Sequence, residues 1–208
     1  MLIKSLNKTY ELHSDSKTLK MKQNFQQFLL ICMITLTGSN LACQPVASKT
    51  SALKVIIIRH GEKPDQGDNL SCQGLNRALG LADVLYNKFK LPDFIFVPSL
   101  KTGKETGAAR MYQTIVPFAV KYNLTIDTKF DTDDPQAIAA AVLKKTGTVL
   151  LVWEHKNIPL IAEQLGVKNT NLKWKGEDFD SIWIITFKNG QAVLTVDKEN
   201  LKPGANCN

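Results

Sequence analysis

The sequence predicts an α/β domain built on a largely parallel sheet with helices on its faces. Two runs, 55–58 and 149–153, are continuously apolar and rich in β-branched residues, which is typical of strands buried on both faces. The segments between the predicted strands carry apolar residues at helical spacing. Strands that alternate with helices in this way are typical of α/β folds.

The strand and turn signals place each sheet element. The first strand is predicted at 54–60 (KVIIIRH), the second at 92–99 between prolines, and a third at 147–155 (GTVLLVWEH). Residues 181–199 are predicted to form a C-terminal β-hairpin at the sheet edge, because Asn189-Gly190 is a tight-turn pair between two alternating runs.

Helices are predicted between these strands. The first shows Leu75, Ala78, Leu79, Ala82 and Leu85 at helical spacing, which indicates its buried face. Pro135 suits the first turn of a later helix. The four predicted helices, in chain order, are 70–89, 105–122, 135–145 and 158–167. The stretch 127–134 (DTKFDTDD) is predicted to be an acidic loop before Pro135.

The first 43 residues have the order of an export signal. Lys20 and Lys22 precede a mostly apolar stretch, 28–43, which ends in small residues and is too short and broken to span a bilayer comfortably. Cys43 follows Leu41-Ala42 and resembles the lipidated cysteine of bacterial lipoproteins, so a lipid on Cys43 and simple cleavage nearby are both open.

This leader implies a periplasmic protein or an envelope-anchored lipoprotein, with membrane attachment through Cys43 if that residue is lipidated. Translation could begin at Met1 or at Met21, because the first 20 residues are polar and add nothing that a signal needs. A linker of small residues is predicted at 44–53, and one folded domain at 54–208.

Composition excludes some classes of function. The chain has 208 residues, 44% of them hydrophobic and 22% charged, as in globular proteins. Its formal charge of +7 is spread along the chain without a Lys/Arg run, so no nucleic-acid partner is expected, whereas a basic pocket for an anion fits. No CxxC motif or His/Cys cluster is present, and we expect neither a metal nor a cofactor.

Two cysteines fall within the predicted domain. Cys72 and Cys207 could form a disulfide in an oxidising compartment, or they could be two free thiols. The sequence leaves both possibilities open.

Charged and polar side chains follow the predicted strands at the points where the strands end. Arg59 and His60 follow the first strand, Ser99 the second, and His155 the third. Ligands of open α/β sheets bind beyond the carboxyl ends of the strands. Two of the chain's three histidines therefore come to the edge at which a ligand is expected.

Arginine and histidine at such an edge are suited to a phosphoryl group. The planar arginine fork matches phosphate oxygens and keeps its charge. Histidine is a nucleophile when one ring nitrogen is held by a hydrogen bond and the other faces phosphorus. Gly61 would let the backbone approach the phosphate without a Cβ in the way. Cationic side chains can neutralise phosphoryl oxygens without a metal.

Four segments, in order along the chain, resemble the histidine phosphatase superfamily in its phosphoglycerate mutase-like branch. They are RHGEKP (59–64), LSCQGLNRA (70–78), ARMYQTI (109–115) and VLLVWEH (149–155). The resemblance implies a three-layer α/β sandwich. It also implies a metal-independent phosphomonoester hydrolase that acts on a small phosphorylated substrate or a phosphoprotein through a phosphohistidine.

The resemblance also implies roles for particular residues. His60 matches the nucleophile, and Arg59, Arg110 and His155 match the rest of the phosphate pocket. A phosphate-binding lipoprotein with little turnover, or a phosphomutase, is the alternative reading. Glu62 is expected to support the structure near the nucleophile.

The chain departs from the family pattern at the proton donor. Relatives supply a glutamate from the segment after the second-arginine helix, but 127–134 contains only aspartates. Asp131 or Asp134 is the expected donor, and Glu154 is an alternative because it adjoins His155. Glu154 and Lys156 stand where many relatives have a small or hydroxyl residue and a glycine, so the mouth of the pocket is expected to differ.

Overall fold

A six-stranded mixed sheet forms the centre of the domain in the computed structural model, which describes residues 52–101, 107–168 and 171–207. The strands lie in the order β3-β2-β4-β1-β5-β6. They are β1 (Lys54–Arg59), β2 (Phe94–Pro98), β3 (Ile126–Phe130), β4 (Thr148–Trp153), β5 (Ser181–Lys188) and β6 (Gln191–Lys198). The helices are α1 (Cys72–Phe89), α2 (Ala109–Tyr122), α3 (Pro135–Val142) and α4 (Ile158–Gln164).

The apolar run of β1 serves two cores. Val55 and Ile57 pack with residues of α3 and α4 on one face of the sheet. Ile56 and Ile58 pack with α1 and α2 on the other. Because successive side chains of a strand point to opposite faces, a strand covered on both sides must be apolar throughout. The result is the predicted three-layer sandwich.

Strand directions confirm a largely parallel sheet with a C-terminal hairpin. β1 is parallel to β4, and β2 is parallel to both β4 and β3. β5 is antiparallel to β1, and β6 is antiparallel to β5. β1 and β4 are therefore central neighbours whose carboxyl ends lie side by side, with Arg59 paired to Trp153.

The prediction that 127–134 is wholly a loop was wrong. Residues 126–130 form β3, which pairs with β2 from Ile95–Ile126 to Pro98–Phe130. β3 is an edge strand and its residues are only partly buried or exposed, so its sequence lacks the apolar signal of the central strands.

The buried face of α1 also differs from the prediction. Leu75 and Leu79 are 44% and 57% exposed. Gly74, Arg77 and Leu81 are buried instead, beside the predicted Ala78, Ala82 and Leu85. The shift arises because Arg77 occupies the buried stripe, where Glu62 and Glu199 neutralise its charge.

Cys72 and Cys207 form a disulfide that joins the start of α1 to the C-terminal segment, with their Cα atoms 4.8 Å apart. The amide of Asn76 donates to the carbonyl oxygens of Gly204 and Asn206, both at 2.8 Å. The bridge and these hydrogen bonds hold the C-terminal segment against α1.

The predicted leader, 1–43, lies outside the described residues, as does the predicted linker up to residue 51. Within the described part of the chain, no helix has the length and apolar character needed to cross a membrane.

Candidate active site

His60 lies directly beyond β1 and is only 3% exposed. Its backbone N–H donates to the carbonyl oxygen of Trp153 at 3.2 Å, which fixes it beside the end of β4. Nδ1 of His60 is 2.7 Å from the carbonyl oxygen of Gly61. A carbonyl oxygen only accepts, so Nδ1 carries the proton and Nε2 keeps its lone pair. His60 lines a cavity of about 170 Å³.

The surroundings of His60 keep its ring neutral. Burial lowers the pKa of His60 to about 4, and the charges of Arg59 and Arg110 act in the same direction, against the hydrogen bond to Gly61. A neutral ring with a free Nε2 lone pair is the form of histidine that can act as a nucleophile.

The ring of His60 is expected to stay neutral as the pH is lowered from 7 to 5, and to titrate near pH 4. The sign follows from the lowered pKa, because an ordinary histidine gains its proton near pH 6.5. Nitrogen-15 NMR of histidine-labelled protein would report the titration and the Nδ1–H tautomer. A midpoint at or above 6.5 would contradict this description of the site.

Arg59 is the last residue of β1, and its guanidinium group is fixed by the loop that precedes β5. Nη1 donates to the carbonyl oxygens of Gly176 (2.5 Å) and Asp178 (3.2 Å). The guanidinium carbon lies 3.8 Å from the centre of the Phe179 ring, a cation–π contact. Burial lowers the pKa of Arg59 to about 10, so the group remains a cation at neutral pH.

Arg110 and His155 come from two other elements. Arg110, in the first turn of α2, lines the cavity with His60. Its Nη1 donates to the carbonyl oxygen of Gly67 at 3.3 Å. His155 follows β4 and is half-buried. Burial, followed by the charge of Arg59, lowers the pKa of His155. His60 and His155 are therefore both held towards the neutral form.

Three nitrogen atoms of this group are buried without a partner. Of the described residues, only four have a buried side-chain N or O atom without a hydrogen bond, and three of those atoms are Nε of Arg59, Nε of Arg110 and Nδ1 of His155. An arginine Nε–H can only donate, and an unmet buried donor costs about 1–3 kcal/mol. Their grouping around His60 indicates a site for an anion.

Gly61 has a packing role that the sequence analysis did not predict. It is not among the residues that line the cavity. A Cβ at position 61 would lie 2.9 Å from the carbonyl oxygen of Gly74, and a Cβ at Gly74 would lie 2.3 Å from that of Glu62. The two glycines therefore let α1 pack closely against the segment after β1.

Thr114 connects this segment to the arginine helix, a role that the sequence analysis missed. The Gly61 N–H donates to Oγ1 of Thr114 at 2.9 Å, and Oγ1 donates to the carbonyl oxygen of Arg110 at 2.7 Å. Gly61, whose carbonyl oxygen holds the His60 ring, is thus fixed to the backbone of Arg110.

The structure does not bring Asp131 or Asp134 into the cavity. Asp134 is the N-cap of α3 and accepts a hydrogen bond from the N–H of Ala137 at 2.9 Å. Asp131 is exposed and does not line the cavity. Among the described residues, the carboxylates that line the cavity are those of Asp133, which the sequence analysis did not single out, and Glu154.

Two side chains fix the loop that carries Asp133. Nε1 of Trp153 and Nδ2 of Asn157 both donate to the carbonyl oxygen of Thr132 at 2.9 Å. Nδ2 of Asn157 also lies 3.1 Å from Oδ1 of Asp133. These contacts determine which aspartate faces the cavity. They join residues that are far apart in the chain, so no local sequence pattern reveals them.

A buried ion-pair group lies behind the nucleophile. Arg77 donates from Nε and Nη2 to both oxygens of Glu62, at 2.7 to 3.0 Å. Its Nη1 lies 2.5 Å from Oε2 of Glu199. Glu62 is thus a structural residue two positions after His60, and Arg77 and Glu199 are supporting residues that the sequence analysis missed.

Comparison with known proteins establishes the class of fold. No family profile and no curated protein matches the sequence. The fold is the phosphoglycerate mutase-like α/β sandwich, and the similar solved structures belong to the histidine phosphatase superfamily.

Two of these structures are the protein histidine phosphatase SixA complexed with tungstate and a candidate α-ribazole-5'-P phosphatase from Escherichia coli K-12. The first is 15% identical over 70% of this chain and 97% of that chain, with a TM-score of 0.52. The second is 12% identical over 71% and 97%, with a TM-score of 0.54. At these identities the likeness establishes the fold.

Proposed function

We propose that the protein is a metal-independent phosphomonoester hydrolase that acts through a phosphohistidine on His60. The observation that carries the proposal is the grouping of unpartnered buried nitrogens of Arg59, Arg110 and His155 around a neutral His60. The tungstate complex of SixA supports it, because tungstate is a tetrahedral oxoanion like phosphate and that protein shares the fold.

The geometry supports attack by Nε2 of His60 on phosphorus. The hydrogen bond from Nδ1 to Gly61 fixes the ring and leaves Nε2 free. Arg59 and Arg110 supply positive charge for the phosphoryl oxygens, which is the main requirement of a phosphoryl transition state. Both arginines are held by backbone carbonyl oxygens, so little reorganisation is needed when the substrate binds.

The cavity favours turnover over binding alone. Asp133 and Glu154 line it together with His60, so a proton donor for the leaving oxygen is available. Its volume of about 170 Å³ accommodates the phosphoryl group of a small phosphorylated substrate or of a phosphoprotein.

A panel of phosphomonoesters assayed in EDTA tests the proposal. Sugar phosphates, nucleotides, phosphoamino acids and a phosphohistidine peptide would be compared, with release of inorganic phosphate as the readout. We expect at least one substrate to be hydrolysed equally well with and without EDTA. Phosphate binding without hydrolysis of any member would favour the binding-protein alternative.

Arg110→Lys is expected to weaken inhibition by vanadate although the charge is kept. Lysine offers a point charge where the arginine presents a planar fork. The loss of one charge-assisted contact is worth about 1.5–3 kcal/mol, which corresponds to a roughly 10- to 150-fold higher inhibition constant. Lys121→Arg is the matched control, because Lys121 lies on the same helix as Arg110 and forms an exposed ion pair with Asp83 of α1. An unchanged constant for Arg110→Lys would place this residue outside the anion site.

We also propose that the protein is exported and that its mature form begins at or near Cys43. The basic, apolar and small-residue order of the leader supports this, as does the Cys72–Cys207 disulfide, which is typical of oxidising compartments. Intact-mass measurement of protein from its native host is expected to show a chain without residues 1–42. An added acyl mass would distinguish lipidation from simple cleavage, and a species that retains 21–42 would contradict the proposal.

A further inference from the structure

We propose that Glu154, and not an aspartate of the 127–134 segment, is the group that protonates the leaving oxygen and later activates water. The inference rests on the proposed phosphohistidine route and adds the identity of its acid and base. The observation behind it is that Glu154 lines the cavity with His60 and Arg110, directly beyond the end of β4.

The backbone of Glu154 is held rigidly. Its carbonyl oxygen accepts hydrogen bonds from the N–H groups of Asn157 (3.0 Å) and Ile158 (3.1 Å), which fold the chain into the start of α4. Glu154 also follows Trp153, a fully buried core residue. A half-buried carboxyl on so fixed a backbone is well suited to stay near the leaving oxygen.

Glu154 lies among the groups that would hold the phosphate. Its charge acts on both Arg59 and His155, which come from the ends of two neighbouring strands. In the described part of the chain, its carboxyl oxygens have no hydrogen-bond or ion-pair partner. The carboxyl is therefore free to exchange a proton with a substrate.

Asp133 is a weaker candidate although it lines the same cavity. It is exposed, and its Oδ1 is 3.1 Å from Nδ2 of Asn157. The carboxylate of Asp133 thus already has a hydrogen-bond partner in Asn157. Asp133 therefore serves to fix the loop together with Thr132.

The proton balance of the reaction defines the two steps. In the first, the Nε2–P bond forms, the P–O bond to the alcohol breaks, and the leaving oxygen takes the proton of the Glu154 carboxyl. In the second, the Glu154 carboxylate takes a proton from water as the water oxygen attacks phosphorus. The P–Nε2 bond breaks, inorganic phosphate leaves, and Glu154 is again protonated.

The test compares two substrates that differ in their need for a proton. The leaving group of a glycerol phosphate is glycerol, whose alkoxide is unstable and must be protonated as it leaves. The leaving group of 4-nitrophenyl phosphate is 4-nitrophenolate, which is stable without a proton. For Glu154→Gln we expect kcat/KM on glycerol phosphate to fall about 100-fold or more, and kcat/KM on 4-nitrophenyl phosphate to change by less than about 5-fold. kcat on 4-nitrophenyl phosphate should fall while phosphohistidine accumulates, because water is no longer activated.

Two further variants make the result specific. Asp133→Asn should lower kcat/KM on the two substrates by the same factor, and Glu154→Asp, which keeps a carboxyl, should recover part of the loss on glycerol phosphate. Equal losses on both substrates for Glu154→Gln, or a selective loss for Asp133→Asn, would overturn the proposal. If the wild type still forms phosphohistidine while either of these outcomes is observed, only the role of Glu154 is refuted. The absence of phosphohistidine with every substrate would refute the route itself.

Discussion

Replacement of His60 by alanine is expected to lower kcat on the best phosphomonoester substrate by on the order of 10³-fold or more. Removal of the nucleophile abolishes the covalent route and leaves only the charges of the pocket. The loss should appear in kcat/KM as well, because formation of the Nε2–P bond belongs to the first chemical step. Steady-state rates on the substrate chosen from the phosphomonoester panel measure both.

The covalent intermediate gives a second readout. A labelled substrate, quenched rapidly without acid, is expected to leave label on the wild type and none on His60→Ala. A phosphohistidine is labile in acid and stable in alkali, the reverse of a phosphoserine, and peptide mapping would assign the label to His60. The disappearance of this label identifies the nucleophile independently of the rate.

The fold of His60→Ala is expected to survive, because His60 lies beyond β1 and outside both apolar cores. Far-UV circular dichroism and thermal melting would show this. Lys188→Ala, at the exposed end of β5, is a control that should leave both activity and label unchanged. A folded His60→Ala protein that hydrolyses the substrate at near the wild-type rate would refute the proposed mechanism.

The central strands and the residues that follow them could be predicted because their signals are local. Val55 to Ile58 form a short apolar run, and Arg59 and His60 interrupt it at the point where β1 ends. The parallel topology then brings the end of β4 beside them, and with it His155. The lengths of the apolar runs and the parallel pairing of their strands therefore bring these residues to one edge of the sheet.

The cavity carboxylates could not be predicted in the same way. Asp131, Asp133 and Asp134 lie within four positions, and any of them could face a ligand as far as the sequence indicates. The orientation of this loop depends on hydrogen bonds from Trp153 and Asn157 to the carbonyl oxygen of Thr132. Both donors come after α3 in the chain, whereas the loop comes before it. A tertiary contact of this kind leaves no periodic pattern.

The arginine of α1 shows a different limit of sequence-based prediction. Arg77 occupies a core-facing position, where an apolar residue is the ordinary expectation. Its burial depends on Glu199, which lies 122 residues further along the chain. The assignment of Leu75 and Leu79 to the buried face was wrong for this reason. The sequence does not reveal that Arg77 takes a place on that face while these two leucines are exposed.

Arg77→Met is expected to lower the free energy of unfolding by about 3–5 kcal/mol, the usual cost of removing one partner from a buried ion pair. The side chains of Glu62 and Glu199 are 13% and 0% exposed, so both carboxyl groups would lose their cation without gaining water. Urea unfolding at constant slope measures the change. Activity should fall too, because Glu62 lies two residues after His60.

The pH dependence distinguishes this effect from a simple packing defect. Burial raises the pKa of Glu199 to about 8 against the opposing effect of Arg77, so Glu199 becomes a full ionic partner of Arg77 only as the pH approaches that value, whereas in the unfolded chain this carboxyl ionises above its ordinary pKa of 4.5. Wild-type stability should therefore decrease as the pH rises between these values. Without the cation, the lowering effect of Arg77 on the pKa of Glu199 is lost, so ionising this buried carboxyl costs more, and the deficit of Arg77→Met should be larger at pH 9 than at pH 5.

Lys88→Met is the matched control, because Lys88 and Asp197 form an ion pair at 2.8 Å with side chains that are 29% and 40% exposed. Its loss should stay below about 1 kcal/mol, as for other exposed pairs. Glu199→Gln in the Arg77→Met background should recover part of the deficit at pH 9, because the amide bears no charge to bury. A deficit under about 1 kcal/mol, or one that is the same at both pH values, would show that Arg77 does not neutralise these carboxylates.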